Sequence, residues 1–324
     1  MSAYVGAIWK CRFFWLSLVK MDLTSRYRGS VLGICWSLLH PIAMTTILCV
    51  VFKYAFKMDV KAYAPLLFTG LTFWGFFSSV VVQGCGCFFQ GESYIRQFPA
   101  PMAIYPLRTV LGSAFHFAIG LLLAIGIALL AGPTDPRQFA GKDGRQHPAQ
   151  VTQPSGTGKT ASSSASCAIP NEPATTPENA TPAQPPEDNP TRIMQLMSLP
   201  TLVPTLLLLL LFGWSVAILF GLLNVRFRDT RHLTEIGLQA LFYMTPIMYD
   251  PKYGTGDWKG RDKLTLMLDC NPLTPFLRLL REPLLNGHAP SLTMYAFAGM
   301  TVLILVTMAV FALKSEERRL IFYL

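Results

Sequence analysis

The sequence predicts an all-α membrane protein with six transmembrane helices, an N-terminal interfacial helix and a re-entrant external helix before the last span. Three observations carry this reading. Long runs without charge recur along the chain, and a run of about 20 apolar residues spans a ~30 Å hydrocarbon core at 1.5 Å per residue. Hydrophobic residues make up 52% of the 324 residues and charged residues only 14%, against about 25% charged in soluble domains. The basic residues gather in short clusters between the apolar runs, which is how membrane topology is encoded. The net charge of +9 would suit a nucleic-acid partner if it lay on one soluble face. Distributed between spans it reads as topology, and no nucleic-acid partner is expected.

The first span follows a basic segment. Lys20, Arg26 and Arg28 lead to Gly29-Ser30, and an uncharged run then lasts from Val31 to Phe52. Short Lys/Arg flanks are retained inside, so residues 1–30 are cytoplasmic. Within them, residues 4–24 are rich in Trp, Phe and Leu, with Lys10, Ser17, Lys20 and Thr24 on one helical face and Arg12 off it. That pattern fits a helix in the membrane interface, or a short cytoplasmic helix packed on the spans. Lys10 and Arg12 within the apolar part argue against a cleavable signal peptide.

Residues 62–90 form the second uncharged run, and a polar break then holds one short helix at 92–99, limited by Pro99 and Pro101. The third span is 109–132, which closes a first transmembrane unit, 31–132. Residues 133–192 turn to Pro, Ser, Thr, Ala and Gly with no apolar periodicity. This composition buries too little surface to offset ordering entropy, so an external disordered insertion is expected. The second unit, 193–313, contains the fourth span (193–225), a short fifth run (233–249) with Glu235 near its start, and the sixth span (289–313). Before the sixth, Pro275 and Pro283 punctuate an external re-entrant segment at 272–287. Residues 314–324 form a tail. Six spans place both termini on one side, with 13 Lys and Arg there against 14 opposite; without the long loop, which translocates regardless of charge, the count is 13 against 9. Both termini are therefore expected in the cytoplasm.

Motifs for catalysis are sparse. Gln153–Thr160 (QPSGTGKT) resembles a phosphate-binding loop, but Gln153 stands where the first Gly belongs, and no strand precedes it nor helix pattern follows. Asn179-Ala180-Thr181 has the form of a glycosylation sequon. His40 and His116 lie within spans, where an ionisable group raises the question of a proton path. No carboxylate accompanies them at membrane depth, so hydrogen-bonded packing is the preferred reading. Cys35, Cys49, Cys85 and Cys87 lie in apolar runs as small hydrophobes, and Cys85-Gly-Cys87 lacks metal-ligand spacing. No HExxH, GxSxG or paired carboxylates occur. The chain is not expected to be an enzyme, nor to carry a cofactor or metal.

Several segments together are similar to the ABC type-2 membrane permeases that export polysaccharide. They are KMDLTSRYRGSVLGICWSLLHP near the start, YIRQFPAPMAIYPL after the second span, NVRFRDTRHLTEIGLQALFYMTPIMY around the fifth, NPLTPFLRLLREPLLNG before the sixth, and the final Tyr323-Leu324. The resemblance covers nearly everything except 133–192, where the family has a short connection. It implies a homodimeric permease in the inner (cytoplasmic) membrane, working with two copies of a separate cytoplasmic ABC ATPase that binds the ATP and Mg. The implied substrate is a lipid-linked O-antigen-like polysaccharide; teichoic-acid or capsule export is the alternative within the family. An ion-coupled transporter or channel without an ATPase is the alternative from another class, and it lacks the midplane acids it would need. The resemblance also implies an interfacial N-terminal helix, a coupling helix after the second span and re-entrant helices before the sixth.

Two residue sets follow for this function. A sliding polymer needs weak, repeated stacking contacts rather than fixed charges. Trp36, Phe52 and Tyr54 of the first span and Phe242 and Tyr243 of the fifth are the expected channel aromatics. Glu92, Tyr94, Ile95, Arg96 and Phe98 are the expected ATPase-coupling residues, apolar contacts beside a charge pair four apart.

Overall fold

The structure, a computed structural model, describes residues 2–30, 32–56, 60–97, 100–132, 192–248 and 271–323. Every regular element among them is helical. The predicted insertion, apart from Arg192, and Phe98 lie outside the described residues.

Two helices open the chain, α1 (Ser2–Lys10) and α2 (Arg12–Tyr27). Trp9, Phe13, Leu16 and Met21 are exposed, and Arg12 lies 4.7 Å over the Phe13 ring. Gly29 (φ 80°) and Gly33 (φ 48°) then turn the chain into α3 (Cys35–Phe56). Left-handed backbone favours glycine because a Cβ would crowd the carbonyl there. α4 (Val60–Cys85) is the centre of the molecule: 72% of its membrane-length stretch is buried, against 11% for α3. Leu67, Phe73 and Val80 of α4 join Phe117, Leu209, Phe212 and Phe276 in one apolar core. α4 closely approaches the later helix that carries Ala217, since a Cβ on Gly84 would lie 2.8 Å from the Ala217 backbone. Small residues allow such helix approaches in membranes.

The second apolar run, expected as one span to residue 90, is broken at Gly86. A new helix, α5 (Cys87–Gln97), starts five residues before the predicted short helix. α6 (Ile104–Ala131) likewise starts earlier than the predicted span, because Pro106 in its first turn costs no intrahelical bond. α7 (Arg192–Ser198) and a 3-10 turn at Leu199–Thr201, holding Pro200, lead into α8 (Leu202–Arg226).

The expected fifth span is α9 (Thr230–Met244), 15 residues, or about 22 Å of helix. That falls short of a ~30 Å core. Among the described residues, five helical stretches are long and apolar enough to cross a membrane: 35–55, 63–85, 104–131, 193–226 and 292–317. The run 233–249 overstated the helix because Thr245 leaves helical geometry ahead of Pro246.

The Pro-punctuated segment is α10 (Thr274–Arg281) followed by a π-helical turn at Glu282–Asn286. Its apolar face is buried, with Phe276, Leu277, Leu280 and Leu284 in the core. Arg281 donates to the carbonyls of Pro246 (2.7 Å), Ile247 (2.6 Å) and Leu66 (3.2 Å), joining α10 to the turn after α9 and to α4. Gly287 (φ 68°) ends the segment. α11 (Leu292–Tyr323) then runs through the sixth span and the predicted tail as one helix, with Leu320 buried.

Candidate functional site

Three helices that differ in burial enclose a cleft of about 670 Å3. α3 supplies His40, Pro41 and Met44; α4 supplies Trp74, Gly75 and Ser78; α9 supplies Glu235, Gln239, Phe242 and Tyr243. The Trp74 and Phe242 rings meet edge to face at 5.3 Å, and Phe242 lies 5.5 Å from Tyr243. Edge-to-face aromatic pairs stiffen a wall beyond what area burial gives. Tyr243 is 66% exposed, so one aromatic face remains open. Glu235 is held by Arg231 one turn earlier, at 3.4 Å. The cleft thus combines flat apolar faces with hydroxyl, amide and imidazole groups. That combination suits an amphipathic, hydroxylated ligand bound by many weak contacts.

The channel aromatics expected from sequence divide here. Phe242 and Tyr243 line the cleft. Phe52 packs 5.0 Å from Tyr63 at the core's edge. Trp36 (54% exposed) and Tyr54 (80% exposed) face away from the protomer. Trp74, Ser78 and Gln239 were not singled out in sequence. Trp74 sits in an apolar run where nothing separates a cleft ring from a core ring, whereas Ser78 and Gln239 were polar interruptions that could have marked the wall.

Behind the cleft, a cavity of about 140 Å3 opens between α3, α4 and α6, sharing His40 and Gly75 with it. His116 on its wall lies 2.8 Å from the Tyr27 hydroxyl through Nδ1 and 3.5 Å from Arg26 through Nε2. A guanidinium only donates, so Nε2 is the acceptor and Nδ1–H donates to Tyr27. Both histidines therefore sit among polar partners or hydroxyl-lined space. Among the described residues no three His, Cys, Asp or Glu side chains come together to hold a metal ion.

The second expected site is α5. Glu92 and Arg96 pair at 2.9 Å, and Arg96 and Gln97 are exposed. Ile95 is buried with Cys87, Phe88 and Met102. Tyr94 stands edge-on to Phe14 at 6.2 Å, and its hydroxyl donates to the Met21 sulfur at 3.6 Å. Tyr94 and Ile95 therefore anchor α5 on its neighbours, while Glu92, Ser93, Arg96 and Gln97 make its open face. Burial pushes the Cys87 thiol above its ordinary range, so it stays a neutral anchor.

The chain is 22% identical over 270 residues to the O-antigen export system permease protein RfbA of Klebsiella pneumoniae, covering 83% of this chain and 79% of that protein. It is also 22% identical over 321 residues to the O-antigen export system permease protein RfbA of Myxococcus xanthus, covering 98% of each. No protein-family profile matches the chain. The similarity to polysaccharide-export permeases thus runs along nearly the whole length, and the five long apolar helices make this a multi-pass membrane protein.

Proposed function

We propose that this chain is the membrane-spanning permease subunit of an ABC exporter that moves a lipid-linked, O-antigen-like polysaccharide across the cytoplasmic membrane. The observation that carries the proposal is end-to-end similarity to an O-antigen export permease, 98% of each chain. Two features of the molecule support it. The aromatic cleft offers stacking faces for the C–H sides of sugars, with polar groups for their hydroxyls. The open face of α5 offers a short rigid docking surface between two long helices.

In this reading the chain is not itself an enzyme. A separate cytoplasmic ATPase, in two copies, binds ATP and Mg and docks on α5 of a homodimer through Glu92, Arg96 and Phe98. Tyr94 and Ile95 hold α5 in place. Phe242 and Tyr243 line the passage within each protomer, while Trp36 and Tyr54 approach it from the dimer face, and Phe52 backs the wall. α1 and α2 lie in the cytoplasmic interface, with both termini in the cytoplasm. α9 with α10 completes the crossing between the fourth and last long helices, α10 being re-entrant from the outside. Teichoic-acid or capsule export uses the same architecture, and the polymer found at the cell surface decides among them. An ion-coupled transporter has less support, because Glu235, the acid on the cleft wall, pairs with Arg231.

Deleting the gene should remove the polymer from the cell surface while its lipid-linked form accumulates inside, and complementation should restore it. Normal surface polymer in the deletion strain would overturn the proposal.

A further inference from the structure

We propose that Asp22 and Arg108, with Tyr27 and His116, form a membrane-edge latch that positions the N-terminal helices and, through them, α5. The coupling consequence rests on the reading of α5 as the ATPase dock.

α2 buries little of itself. Leu18 is its one fully buried residue, so apolar packing alone leaves the helix's rotation and register weakly set. Polar contacts set them instead. The guanidinium of Arg108 donates through Nε to one Asp22 carboxylate oxygen and through Nη2 to the other. The Arg108 side chain is only 10% exposed and that of Asp22 28%. A largely buried ion pair adds little net stability over an apolar pair, but removing one partner leaves a buried charge, so its effect is to specify one arrangement.

The second pin, Tyr27 to His116, is five residues further along α2 and eight along α6, or about 7 Å and 12 Å. One pin would leave a pivot; two separated pins fix direction as well. Arg26 adds a tie to Gln83 of α4. On its other side α2 carries the Phe14 ring and Met21 sulfur against which Tyr94 of α5 rests. α5 is thus braced on a helix whose placement depends on the latch. Asp22 and Arg108 are positioning residues; neither lines the cleft.

Amide hydrogen exchange of the purified full-length permease tests this, paired with surface polymer and ATPase recovery in cells expressing each variant. Asp22→Arg and Arg108→Asp should each raise exchange over α2 and α5 and lower export by about fivefold or more, the low end of a typical coupling between sites. The double charge swap should restore protection and export together, which a merely missing contact would not do. Tyr27→Phe, which removes only the second pin, should loosen the end of α2 near Gly29 and serves if the swap fails to insert. Unchanged α5 exchange in both single variants and in Tyr27→Phe would overturn the latch. Raised α5 exchange with normal ATPase recovery and normal export would instead overturn α5 as the dock, leaving the latch standing.

Discussion

At the scale of residues, the aromatic rings make the sharpest test. Tyr243→Ala removes an open face from the cleft wall and Trp74→Ala removes the ring that stiffens Phe242. Each ring contributes about 1 kcal/mol of stacking, so each variant should lower export several-fold with normal membrane levels, read as surface polymer per permease. Trp36→Ala should also lower export if the outward ring of α3 meets the passage from the dimer face; unchanged export from both Trp36→Ala and Tyr243→Ala would remove them from the passage. Buried Arg281 makes a different test. Arg281→Met strips donors from three carbonyls and should cost about 3 kcal/mol, seen as a lower melting temperature of the detergent-purified protein. Residue chemistry was partly legible in the sequence. Phe242 and Tyr243 could be marked as stacking rings in the short fifth run, and Glu92 and Arg96 as a charge pair four apart in a polar break. Trp74 could not, since a ring inside an uncharged run carries no sign of what it faces. The Asp22–Arg108 pair joins residues 86 apart, a separation that no local pattern encodes.

At the scale of elements, charge-free length located five long helices and missed several of the limits. Gly86 interrupts an apolar run without changing its hydropathy, so the start of α5 was hidden. The fifth run looked long because its uncharged sequence continues past Met244, where the helix ends. α5 carries its own prediction. Arg96→Glu reverses the charge on the open face and breaks the pair with Glu92, an exposed pair worth about 0.3–0.5 kcal/mol. Permease levels should therefore hold while the ATPase is recovered poorly with it; equal recovery would place the dock elsewhere, with the basic stretch 226–231 next to be tested. The contact between α4 and α8 should behave in the opposite way. Gly84→Val forces side-chain atoms into the Ala217 backbone, so membrane levels themselves should fall, as overpacking typically costs 1–3 kcal/mol.

At the scale of the whole molecule, α4 is a buried axis, and α3 and α9 stand on it with much of their surface open. In the proposal such a protomer supplies only part of the passage wall, which is why the homodimer belongs to it. In the proposed orientation, which rests on the positive-inside count, the termini are cytoplasmic and the 133–192 insertion is external. A cysteine at Ser163, in a chain without its seven native cysteines, should react with a membrane-impermeant maleimide in spheroplasts; reaction only in inverted vesicles would reverse the orientation. The central claim is that this chain moves polymer only with energy from a partner ATPase. The direct measurement is surface polymer in cells holding the wild-type permease and a partner ATPase disabled in hydrolysis. The proposal predicts loss of surface polymer equal to that of the permease deletion, with permease levels unchanged. Normal surface polymer with the disabled ATPase would contradict it.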